Sequence, residues 1–198
     1  GKSQAVRSTL DARLQMFVRQ SLKNHIDFLS TQNVHDGAVL VLDNGSGDVL
    51  SYVGNTGNAE TFYVDGVQAR RQAGSTLKPF LYALAFEQRI LTPSSILKDS
   101  PLEIPVSGGV YRPRNYDGAF HGNVSARIAL ASSLNVPAIR TIQLTTVERF
   151  VQQLQELGFS NLLGSDRYGP SLALGSADVT LWDLTHAYRT LAQMGLKS

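Results

Sequence analysis

Ser75 and Lys78 stand three residues apart at the head of an apolar run, within RRQAGSTLKPFLYALAFEQ (70–88). On a helix that offset puts two side chains on one face, about 5–6 Å apart at Cβ, so the lysine can reach the serine hydroxyl. An ammonium among Leu77, Phe80, Leu81 and Tyr82 either reaches water or has its pKa lowered by lost hydration. A neutral lysine can take the hydroxyl proton and so make the serine a nucleophile. Gly74 lets another backbone come close, and the N–H dipoles of a helix start suit a developing anion. Pro79 is tolerated near a helix start but biases Lys78 away from helical backbone, so a tight or irregular first turn is expected. The plainer alternative is a surface lysine snorkelling from a core helix. Ser95 and Lys98 repeat the spacing in a polar stretch leading to Asp99-Ser100-Pro101, with no helix behind it. That second match is read as a decoy.

Ser133-Leu134-Asn135 is the one Ser-x-Asn in the sequence, directly before Val136-Pro137. A hydroxyl in a turn there could relay a proton, and a carboxamide offers both donor and acceptor to an amide substrate. The plainer reading is a helix end followed by an Asn turn. His25, His35, His121 and His186 lack ligand spacing, so no metal is assigned. His121 could serve Ser75 in a Ser-His arrangement, but is read as a structural loop histidine. Gly1-Lys2-Ser3 imitates the end of a phosphate-binding loop without a preceding strand and is set aside.

These residues need elements to hold them. Residues 9–30 carry Leu10, Leu14, Phe17, Leu22, Ile26 and Leu29, the spacing of an amphipathic helix with Ser8 or Thr9 as cap. GAVLVLD (37–43) and DVLSYVG (48–54) flank Asn44-Gly45, which reads as an antiparallel hairpin. Residues 55–74 read as loop and 75–91 as the apolar helix. Residues 92–124 read as a structured loop. Further helices are expected at 125–132, at 137–144 from Pro137, and at 146–157 closed by Gly158. A glycine-rich loop follows, then a last helix with Thr180 and Asp183 at capping-box spacing and Gly195 at its end. Trp182 and Tyr188 on that helix read as packing residues.

A chain with 42% hydrophobic residues can bury a core and is most simply one domain. A net charge of +2, without a run of Lys and Arg, gives no support to a nucleic-acid or membrane-surface role. The absence of cysteine excludes a disulfide framework and thiolate catalysis. No apolar run approaches the roughly 18 residues that span a bilayer, and no signal peptide is visible. Residues 1–8 read as a linker or boundary segment and 9–198 as globular. A start without methionine suggests a processing boundary, with any anchor or export signal upstream.

Together the two patterns resemble the serine acyltransferases of the penicillin-binding protein and serine β-lactamase superfamily. The resemblance covers nearly the whole chain, in order. RRQAGSTLKPF, YRPRNYDGAFHGNVSARIALASSLNVPA and PSLALGSADVTLWDLTHAYRTLAQMG all look like class A penicillin-binding proteins. STLDARLQ resembles their join between glycosyltransferase and transpeptidase domains, and RPRNYDGAFHG has the wording of the 1C type. The resemblance implies an α/β (α+β) transpeptidase fold: a helical subdomain around an antiparallel sheet. It implies that Ser75 is acylated by a D-Ala-D-Ala stem peptide, that Lys78 is the base, that Ser133 passes a proton to the departing D-Ala, and that Asn135 holds the substrate amide. The Ser75 N–H would be half of an oxyanion hole. It further implies peptidoglycan stem peptides and β-lactams as partners, no cofactor, and a periplasmic or outer-face location.

One element departs from the family pattern. No Lys-Thr/Ser-Gly triplet occurs in the 198 residues; Lys197-Ser198 follows a helix, not a strand. The chain is therefore expected to be the N-terminal portion of a transpeptidase domain, with its hairpin edge open to further strands and the remainder elsewhere: cleaved but associated, in a separate chain, or replaced by a partner. The rival reading is a non-catalytic module that senses β-lactams or peptidoglycan or serves in assembly. A carboxypeptidase or β-lactamase, with water as acceptor, is the nearer rival.

Overall fold

The computed structural model describes residues 7–57, 61–106 and 108–196. Gly1-Lys2-Ser3 and Lys197-Ser198 lie outside them. In chain order the elements are α1 (Ala12–Leu29), β1 (Val39–Leu42), β2 (Val49–Val53), β3 (Arg71–Gln72), α2 (Lys78–Glu87), β4 (Ile96–Asp99), β5 (Ile104–Val106), β6 (Gly109–Tyr111), β7 (Gly122–Ser125), α3 (Ala126–Ala131), α4 (Asn135–Thr145), α5 (Val147–Glu156), β8 (Asp178–Val179) and α6 (Leu181–Ala192). The chain forms two compact units. One holds residues 1–70, 157–159 and 179–198; the other holds 71–156 and 160–178.

In the first unit the expected hairpin is present, with Val39 opposite Val53 and a bulge between Val41 and Leu42. Its turn differs from a tight Asn-Gly turn. Asp43 organises it, accepting from the Ser46 N–H and hydroxyl through Oδ1, and the left-handed residue is Gly47, φ +80°. A carboxylate at the first turn position can replace a backbone partner in this way. α1 lays Leu14, Val18, Leu22 and Ile26 on Val39, Val41 and Val53. Its cap is Asp11, whose side chain accepts from the Arg13 and Leu14 N–H groups. Thr9, the expected cap, instead donates to the Val49 carbonyl. Beside it the outward backbone of β2 is occupied: the Asp11 N–H donates to Leu50 O, and Gln15 both donates to Tyr52 O and accepts from the Tyr52 N–H. The β2 edge of the hairpin is thus covered by the start of α1.

In the same unit α6 starts on Thr180, which accepts from the Asp183 N–H. Its buried Arg189 grips the hairpin turn through the Asn44 and Gly45 carbonyls. Trp182 stacks on His186 at 4.6 Å, whereas Tyr188 stays exposed.

The second unit is built around α2. Phe80, Leu81, Tyr82 and Ala85 are wholly buried, as a helix apolar on all sides requires, and α3, α4 and α5 pack against it. Each large side chain so buried contributes about 1.5–3 kcal/mol. Residues 92–124, expected as loop, carry four short strands. β4 pairs with β7 and β5 with β6, both antiparallel. These strands are three or four residues long and interrupted by Pro101, Pro105 and Pro113, which hid their alternation. α4 begins at Asn135, two residues before Pro137.

Candidate active site

The site lies within the second unit. Gly74–Leu77 form a 3-10 turn that runs into α2, and the Lys78 N–H donates to Ser75 O. In such a turn residues three apart lie on one side, so Ser75 and Lys78 share a face, and the bonds of Lys78 Nζ go to Ser133 and Asn135. The expected tight first turn is present, but its cause is not Pro79: Lys78 has ordinary helical angles, φ −56° and ψ −42°. The turn is set by Gly74, at φ +59°, which donates to Gly175 O. Gly175, at φ +75°, comes so close that a Cβ there would lie 1.9 Å from Gly74 O. The close approach foreseen at Gly74 is real, and the partner backbone is Gly175.

Ser75 is exposed and Lys78 is 1% exposed. Burial pushes the Lys78 ammonium down to about 8, while three acceptor oxygens favour its charged form. Nζ donates to Ser133 O at 2.6 Å, Asn135 Oδ1 at 2.7 Å and Ser133 Oγ at 3.1 Å. The snorkelling alternative is thereby removed: this lysine points into a polar nest. Lys98 of the second Ser-x-x-Lys match stands exposed on a strand.

Ser133 owes its placement to how α3 ends. The Leu134 N–H donates to Ala129 O and the Ser133 N–H to Leu130 O, the two bonds of a Schellman motif, with Ser133 at the left-handed position, φ +51°. Glycine is the usual residue there, and a serine costs about 1 kcal/mol or more. This turn aims both oxygens of Ser133 at Lys78. Asn135, at the start of α4, gives Oδ1 to Lys78 and donates through Nδ2 to Arg114 O at 2.9 Å. These two contacts use one of its two N–H bonds and one of its two lone pairs.

Behind these residues lies a polar layer that the sequence reading missed. Asn115 is buried, and its Oδ1 accepts from the Asn135 N–H at 2.8 Å and the Val136 N–H at 3.3 Å. Its Nδ2 donates to Asp99 and to Ala119 O. Asp99, 0% exposed, also accepts from the His121 N–H and meets His121 Nδ1 at 2.8 Å. Desolvation raises the Asp99 pKa, but the donors of Asn115 and His121 outweigh it and the net direction is down. His121 is raised, first by the Asp99 hydrogen bond, with Asp117 adding to it. His121 is thus tied to Asp99 and Asp117, as its reading as a structural loop histidine requires. The only sequence signal for this layer was the density of polar residues in RPRNYDGAFH. Among the described residues no group of three or more His, Cys, Asp or Glu could hold a metal.

The model of the penicillin binding protein transpeptidase domain matches residues 37–197. The chain belongs to the penicillin-binding protein transpeptidase family. It is 34% identical over 98% of its length to penicillin-binding protein 1C of Escherichia coli strain K12, covering 25% of that protein. The crystal structure of penicillin-binding protein 1A from Haemophilus influenzae superposes with a TM-score of 0.70 at 33% identity, over 78% of this chain and 23% of that one. PonA1 from Mycobacterium tuberculosis, a penicillin-binding protein 23% identical, shares the fold over 95% of this chain and 50% of its own, TM-score 0.76. The chain therefore has the α+β fold of penicillin-binding transpeptidase domains, and it spans a fifth to a quarter of the length of the curated relatives it matches.

Proposed function

We propose that this chain is the N-terminal portion of a D,D-transpeptidase domain that cross-links peptidoglycan stem peptides through an acyl-serine intermediate. The observation that carries the reading is the buried Lys78, three residues from Ser75 at the head of α2 and hydrogen-bonded to Ser133 and Asn135. Neutral Lys78 takes the Ser75 proton as Oγ bonds to the penultimate D-Ala carbonyl carbon. The oxyanion that forms accepts from the Ser75 N–H, one of the two donors it needs. Ser133, 3.1 Å from Nζ, passes the proton to the departing D-Ala nitrogen, and the C–N bond breaks. An amine of a neighbouring stem then attacks the ester, loses its proton along the same route and releases Ser75. Asn135 holds the substrate amide with its remaining N–H and lone pair. β-Lactams enter by the same first step and leave a slow-releasing ester.

The domain is read as acting at the periplasmic or outer face of the membrane; among the described residues no helix is long and apolar enough to cross one. A polypeptide supplying the Lys-Thr/Ser-Gly element completes the site. The test is intact-mass spectrometry, with and without a penicillin, on the longest native polypeptide carrying these residues. A stoichiometric adduct that disappears in Ser75→Ala is expected. No adduct where the Lys-Thr/Ser-Gly element is present would overturn the enzyme reading in favour of a non-catalytic module.

A further inference from the structure

We infer that Asn115, anchored by the buried Asp99, is a positioning residue that fixes the hydrogen-bond frame around Lys78. The inference deepens the acyl-serine reading and rests on it for the consequence for rate.

Asn115 does not touch Lys78; it acts through Asn135. Leu134, the residue before α4, supplies no side-chain cap, so the first N–H groups of that helix are met by Asn115 from twenty positions upstream. The helix capped in this way begins with Asn135, whose Oδ1 lies 2.7 Å from the lysine. One carboxamide therefore sets both the start of α4 and the acceptor that faces Nζ. Its own hydrogen-bonding capacity is used on both sides: Oδ1 by two N–H groups, Nδ2 by Asp99 and Ala119 O. A carboxamide so saturated cannot turn without leaving a buried partner unmet.

The anchor is a carboxylate kept wholly out of solvent, held by Asn115 Nδ2 and by His121. Charge-assisted bonds are short and directional, which suits a group that holds another in register. A plain helix cap needs none of this, since an exposed Ser, Asp or Asn next to the helix does it without burying a charge.

The test follows Lys78 directly. The polypeptide is labelled with 13Cε-lysine, and the Lys78 signal, assigned through Lys78→Arg, is titrated by NMR in wild type, Asn115→Ala and Asp99→Asn. With the frame loosened, water reaches Nζ and relieves the desolvation that lowers it. The Lys78 midpoint is expected to move by about half a pH unit or more in Asn115→Ala, up where entering water relieves the desolvation and down where loss of the Asn135 acceptor dominates, and by less in Asp99→Asn. Penicillin acylation at pH 7 is expected to fall about tenfold or more in Asn115→Ala. A folded variant that melts earlier yet keeps the wild-type Lys78 midpoint makes Asn115 a helix cap only and overturns the inference. If Asn115→Ala does not fold, Asp99→Asn decides by the same criterion. The titration needs no substrate, so a wild type that takes no penicillin strikes the acyl-serine reading and leaves this comparison intact.

Discussion

Lys78 and Ser133 each stand in surroundings that their residue types disfavour, one buried and one at a left-handed backbone position. A lysine with a pKa near 8 is neutral in roughly a tenth of molecules at pH 7. If its neutral form is the base, acylation by a penicillin should climb with pH on one ionisation near 8 and level off above 9, measured as adduct formation against time. Lys78→Arg, which stays protonated, should lose about 10²–10⁴ of that rate. Its linkage to stability has a definite sign. The folded value lies below the ordinary 10.5, so the unfolded chain binds more protons between about 8 and 10.5 and burial of Lys78 becomes cheaper as pH rises, by about 3 kcal/mol at most. Ser133 makes the complementary case. Ser133→Gly should relieve its left-handed strain and hold or raise stability by about 1 kcal/mol, whereas Ser133→Ala cannot. Both lose the hydroxyl, so both should slow acylation; urea denaturation beside acylation kinetics separates the two effects.

At the scale of elements, the Ser75 turn depends on a glycine a hundred residues away. A Cβ at Gly175 would strike the Gly74 backbone, which has no flexible side chain to give way. Gly175→Ala should therefore cost about 2 kcal/mol or more and displace the Ser75 turn, lowering acylation as well. Gly169→Ala is the matched control: φ is −99° and no atom lies within 4 Å, so stability and rate should stay near wild type. How far the elements were legible follows from whether their signals were local. α2, α3, α5 and α6 carry apolar runs with recognisable ends, and the sequence placed them to within a few residues. The start of α4 was misplaced because its cap comes from Asn115, and the β4–β7 pairing was invisible because its partners lie over twenty residues apart. The cover over the β2 edge left no local signal either, since it is made by Asp11 and Gln15.

For the molecule, the Asp99–His121 pair gives a pH window. Asp99 is depressed, so its contribution is complete above the ordinary 3.8 and is lost as pH falls through its folded value. His121, which faces Asp99 and Asp117, is raised, so its contribution is complete below the ordinary 6.5 and is lost as pH rises through its folded value. Stability from this pair should peak between about pH 4 and 6.5, and Asp99→Asn should flatten both flanks in thermal melts across pH. The Lys-Thr/Ser-Gly element carries the other expectation at this scale. These 198 residues alone should fail to hold a penicillin adduct, and a polypeptide or mixture that supplies the element should form one, as intact-mass spectra will report.

The sequence by itself determined the family, the order of the helices and the hairpin, and it singled out Ser75, Lys78, Ser133 and Asn135 as candidates, because spacing within a turn and apolar runs are local properties of a chain. Tertiary structure alone decided that Lys78 points inward at Ser133 and Asn135, that Gly175 sets the Gly74 turn, and that Asn115 and Asp99 stand behind the site. Those depend on which distant backbones meet: a buried polar group takes its partners from wherever the fold brings donors and acceptors together, and no spacing in the chain records that.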